Sequence, residues 1–76
     1  MDQSADIVFA AIHRRTGGRP GVAIAIRVVC QDTLLPLRQV RSAAIGLKAE
    51  GFLEGSASQE EYALSPRGAA AVARGD

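Results

Sequence analysis

The 76-residue chain has no tryptophan and only three aromatic side chains, Phe9, Phe52 and Tyr62. A core without aromatic bulk must be built from Ala, Val, Ile and Leu, which suits packed helices. The single cysteine, Cys30, excludes a disulfide within the chain. That fits a reducing compartment, and Cys30 reads most simply as a small buried residue. The one histidine, His13, has no second histidine to join it and lies far from Cys30, so no metal site is expected. The scattered carboxylates form no nucleophile–base pair, so neither catalysis nor a cofactor is expected. No apolar run approaches membrane-spanning length, and the polar, acidic first residues do not read as a signal peptide. No membrane partner is expected, and a cytoplasmic location is.

A chain of this length has room for one domain and buries only ~60% of its unfolded surface, so oligomerisation is the expected extra source of stability. The net charge is only +1, but it is unevenly spread. Residues 1–48 carry seven basic side chains (Arg14, Arg15, Arg19, Arg27, Arg38, Arg41, Lys48) against three acidic ones. Residues 49–76 carry two basic side chains against five acidic ones. Such asymmetry points to one face for a polyanion and another for a different partner.

The chain is organised around Leu35 to Phe52. Leu37, Val40, Ala44 and Leu47 recur at helical spacing and form the expected buried stripe. Arg38, Arg41 and Ser42 fall on the opposite half, with Gln39 at its edge. Pro36 suits the first helical position and Gly51 the left-handed position just past the last turn. Arg can pair bidentately with guanine, Gln with adenine, and Ser can bond to phosphate or base. The competing reading of the same pattern is a surface helix with solvated arginines. Ile45 lies about 100° from the Val40 stripe, towards Arg41. It is expected to pack under the preceding helix, with a thymine methyl contact as the alternative.

Upstream, residues 4–16 read as a helix. Ser4 is the candidate N-cap, Asp6 lies in the first turn, and His13, Arg14 and Arg15 lie in the last. Val8, Ala11 and Ile12 make one stripe, while Ile7 and Phe9 lie off its centre. That is more apolar surface than one small core needs, and it offers dimer surface. Thr16 to Gly21 is a loop by its glycine and proline content, without the spacing of a phosphate-binding loop. Residues 21–31 combine β-branched strand character with helical length and spacing. With no comparable strand to pair with, a helix over 20–31 is expected. Asp32-Thr33-Leu34 then forms a short turn, with Asp32 or Thr33 capping the central helix. Beyond Gly51, Phe52 to Glu54 and Glu60 to Leu64 read as a hairpin over 52–64, with Tyr62, Leu64 and Leu53 facing the core. Ser65-Pro66 starts a last helix over 66–74, with Ser65 as N-cap.

Residues Val22 to Val72 therefore resemble a winged helix-turn-helix domain. The resemblance is carried by the short turn at Asp32 to Leu34, by L-K-A-E-G-F-L-E at Leu47 to Glu54, and by Y-A-L-S-P-R-G at Tyr62 to Gly68. The pattern is similar to bacterial transcription regulators of the MarR-like and PadR-like kind and covers about two-thirds of the chain. It implies a single mainly α domain over 1–76, with helices near 4–16, 20–31, 35–51 and 66–74. It also implies that the central helix enters the major groove of double-stranded DNA and that the hairpin is the wing. The expected function is a bacterial or phage transcription regulator, nucleoid-associated and homodimeric through the first and last helices. Arg38, Gln39, Arg41 and Ser42 would reach bases or phosphates, and Arg19, Thr16 and Lys48 the DNA backbone. The wing departs from the pattern, because Glu54, Glu60 and Glu61 stand in it without a lysine or arginine. Carboxylates repel phosphate, so this wing is expected to point away from DNA or to meet a protein partner. A winged-helix protein-interaction module is the alternative function. The extra helices of typical regulators are missing, so a buried effector pocket is not expected.

Overall fold

A computed structural model describes residues 3–56 and 58–73. In chain order the elements are α1 (Gln3–Thr16), β1 (Ile24–Ala25), α2 (Ile26–Thr33), α3 (Leu37–Ala49), β2 (Leu53–Ser56), β3 (Glu61–Leu64) and α4 (Pro66–Ala73). The expectation for residue 74 lies outside the described residues. The fold is mainly helical, with a small antiparallel sheet of order β1-β3-β2. No helix among the described residues is long and apolar enough to cross a membrane.

The core follows the apolar spacing. Val8, Ala11 and Ile12 of α1 meet Ile26 and Val29 of α2, and Val40, Ala43, Ala44 and Leu47 of α3. The sheet closes this core with Leu53, Tyr62 and Leu64. Leu53 stands opposite Leu64 in the β2–β3 register, so both project to the core face. Burying each such aliphatic side chain contributes roughly 1.5–3 kcal/mol. Phe9 and Phe52 meet edge to face at 6.0 Å, and the Arg67 guanidinium lies 4.9 Å from the Phe52 ring centre.

The start of the last helix is as its residues dictate. The Gly68 amide donates to the Ser65 hydroxyl at 2.9 Å, the N-cap bond, and Pro66 opens the helix. The same Ser65 hydroxyl donates to the Gly51 carbonyl at 2.5 Å, tying α4 to the end of α3. Gly68 must be a glycine, because a Cβ there would lie 2.1 Å from the Phe52 carbonyl oxygen. At the end of α3, Gly51 has φ +88°. The Phe52 amide donates to the Leu47 carbonyl and the Gly51 amide to that of Lys48, which is the Schellman pattern.

Four expectations are corrected. Residues 20–31 are not one helix. Ile24 and Ala25 pair with Tyr62 and Glu61, and the helix starts only at Ile26. The missing strand partner is β3 of the hairpin, whose paired residues lie 36 and 38 positions further along the chain. Asp32 and Thr33 lie inside α2, so the turn into α3 is Leu34 to Pro36 and neither residue caps α3. Thr33 Oγ1 donates to the Val29 carbonyl and accepts from the Leu35 amide, while Asp32 pairs with Arg15. Pro36 is the N-cap residue of α3, one position before the first turn. Ser4 lies within α1, buried, where its hydroxyl accepts a bond from Gln39.

Candidate nucleic-acid interface

α3 packs most extensively on α1, and also on α2 and β2, through Val40, Ala43, Ala44 and Leu47. The expected stripe thus holds at three positions and gains Ala43. Leu37 leaves it, being 40% exposed in the first turn, beyond the reach of the core. The diametrically opposite side carries Arg38, Ser42, Ile45 and Ala49, all exposed and spaced i, i+4, i+7 and i+11. Ile45 is 49% exposed and does not pack under α2. Its place in that stripe follows from its seven-residue spacing from Arg38, a signal present in the sequence.

The two flanks of the stripe are occupied differently. On the α1 side, Gln39 Nε2 donates to Ser4 Oγ. Ser4, Pro36, Arg38, Gln39 and Ser42 line a shallow groove of about 640 Å³ there. On the side of the β2–β3 hairpin, Arg41 Nε donates to Glu60 Oε2 at 2.6 Å, and Lys48 Nζ donates to the Gly55 carbonyl at 2.7 Å. The acidic hairpin therefore leans on α3. One of its carboxylates reaches back across 19 residues to an α3 arginine, a contact that local sequence patterns do not encode. Glu60 itself has φ +54°, and its carbonyl accepts the Ile26 amide at 2.8 Å. The turn before β3 is thereby fixed to the start of α2.

Arg38 is exposed and without an ion pair among the described residues, as is Ser42 without a hydrogen-bond partner. The two residues nominated at the end of α1 lie elsewhere. Thr16 is only 3% exposed, and its hydroxyl donates to the Ile12 carbonyl at 2.9 Å, so it closes the helix and offers nothing to a ligand. Arg19 is exposed, with its Nε 3.4 Å from the Thr16 carbonyl oxygen. At the same end of α1, Arg15 grips Asp32 with two bonds of 2.7 and 2.8 Å. The hydrogen bond from Arg15, with the charges of Arg15 and Arg14, holds the Asp32 carboxyl below its ordinary range against partial desolvation. This fork locks the end of α1 to the end of α2, just before the turn that launches α3.

The arrangement presents a helix with two guanidinium groups, an amine, an amide, a hydroxyl and two aliphatic side chains, Ile45 and Ala49, facing outward or along its edges. Among the described residues no group of three metal-ligating side chains stands together. Comparisons with protein-family models, with curated proteins and with solved structures found no match to this chain.

Proposed function

We propose that this protein is a sequence-specific transcription regulator of winged helix-turn-helix architecture. In this reading it binds double-stranded DNA as a homodimer, with α3 in the major groove. The observation that carries the reading is the outward stripe of α3, flanked by Gln39 on one side and Arg41 and Lys48 on the other. A major groove about 12 Å wide admits one such helix. Arg38 is placed to pair with a guanine edge, Ser42 to bond to base or phosphate, and Ile45 to meet a thymine methyl. Lys48 neutralises a phosphate. The element order supports the same reading: α2 and α3 joined by a three-residue turn, then a hairpin beside α3, with β1 added to the sheet. Such a regulator works in the bacterial cytoplasm, at the nucleoid.

Titration of a cognate duplex tests the role of α3. Arg38→Ala should weaken binding by about 1–3 kcal/mol and relax the preference at one base pair. If Arg38→Ala and Arg41→Ala both bound as tightly as wild type with the fold intact, α3 would not be the reader. A second reading is favoured by one observation, the capture of Arg41 by the wing carboxylate. In it the domain is a protein-interaction module whose α3 is partly closed to polyanions. Absence of salt-dependent DNA binding at low ionic strength would select that reading.

A further inference from the structure

The outer face of α1 is the unpartnered surface with internal order. Asp6, Ile7, Ala10 and Arg14 are all exposed, on the side away from Val8 and Ile12. Asp6 has no ion-pair partner among the described residues, and Arg14 makes no ion pair there either, acting only by its charge on nearby Asp32, which Arg15 already holds. The two charges are equidistant from Ala10, each about 6 Å along the helix axis from it. Beside this face runs a groove of about 780 Å³, with Phe9, Leu47, Phe52 and Ala71 among its walls.

We infer that this face is a self-complementary seam, where α1 of a second copy packs antiparallel about a twofold axis through Ala10. A twofold interface requires that when residue i meets residue j, j also meets i. Asp6 of each copy then faces Arg14 of the other, so the pair forms twice, once on each side of the axis. Ala10, the smallest side chain of the face, stands at the crossing point and lets the helices approach. The antiparallel arrangement also sets each positive helix N-terminus beside a negative C-terminus. On one flank the two grooves close over each other at Phe9. A partner of unrelated sequence would have no reason to match the spacing of Asp6 and Arg14 about Ala10. The inference rests on the two-chain form proposed above and not on any contact with DNA.

Sedimentation of the purified chain and charge exchange test it. Wild type should be a two-chain particle. Asp6→Arg and Arg14→Asp should each raise its dissociation constant at least about tenfold, since like charges then oppose at two symmetric points. The double exchange should restore association. Reversed charges also oppose the helix dipole, so circular dichroism accompanies each variant, and a second test does not depend on them. With Cys30→Ser as background, Ala10→Cys should form a disulfide-linked dimer under mild oxidation. The exposed wing variant Ser58→Cys should cross-link far more slowly. The inference is overturned by a wild-type monomer at about 1 mM. It is overturned equally by single reversals without effect, by a folded double exchange no better than the singles, or by Ala10→Cys linking no faster than Ser58→Cys. A two-chain particle without salt-dependent DNA binding would leave this inference standing and overturn the DNA reading instead.

Discussion

Arg41 is the residue on which two roles converge. It belongs to the basic edge of α3, yet Glu60 already holds it. An exposed pair of this kind is worth only about 0.2–1 kcal/mol, so a phosphate can displace the carboxylate. Glu60→Gln should therefore strengthen DNA binding and steepen its salt dependence by roughly one charge, measured as the slope of log K against log salt. Unchanged affinity and slope would mean that Arg41 stays with the wing when DNA binds. A second residue-scale test concerns Tyr62, which is 2% exposed, with a hydroxyl that finds no hydrogen-bond partner among the described residues. An unpaired buried hydroxyl costs about 1–3 kcal/mol. Tyr62→Phe should accordingly raise stability by about 1 kcal/mol in thermal unfolding. A loss instead would reveal a partner for the hydroxyl.

At the scale of elements, the joint between α2 and α3 decides how the candidate reading helix is presented. Leu34 makes this joint at φ +61° while 89% exposed, so it neither packs nor prefers its backbone conformation. Leu34→Gly relieves strain of about 1 kcal/mol and returns part of it to the freer unfolded chain. A net gain of about 0.5 kcal/mol in denaturant unfolding is expected. The Arg15–Asp32 fork makes the same joint acid-sensitive. Asp32 has its folded-state pKa lowered. Its contribution is therefore present above the unfolded value of about 3.9 and lost as pH falls through the folded one. In melting curves between pH 2 and 7, Asp32→Asn should be less stable than wild type at neutral pH. The gap should close below about pH 4. A gap independent of pH would contradict the assignment. Much of this scale was legible in the sequence: the α1 stripe, the Gly51 stop, the hairpin and the Ser65-Pro66 start each rest on neighbours a few residues apart. What was not legible depends on distant chain. β1 exists because β3 lies beside it, Thr33 stays in α2 because its hydroxyl bonds back to Val29, and Ser4 serves Gln39 from 35 residues away.

For the whole molecule, the uneven charge of the sequence becomes an arrangement in space. The acidic hairpin meets one edge of α3, where Glu60 holds Arg41, while Arg38 on the outward stripe has no ion pair among the described residues. The outward stripe was legible in outline from helical spacing. Ile45 was legible there too, by its seven-residue spacing from Arg38, whereas the exposure of Leu37 and the burial of Thr16, whose hydroxyl bonds to its own helix, were not. In the proposed reading, so small a domain with few cations on one helix would bind DNA non-specifically at only about 10⁻⁴–10⁻⁶ M at physiological salt. Two copies with their α3 helices about one DNA turn apart would raise that to useful affinity, which would couple the proposed α1 seam to the proposed reading face. Selection from a random duplex pool, with the mass of the bound complex measured in parallel, tests the central claim most directly. The account predicts an enriched inverted repeat whose half-sites are about 10 base pairs apart, bound by two chains. Enrichment should be lost in Arg38→Ala. A pool that shows no enrichment at low salt, with the chain folded, would contradict it.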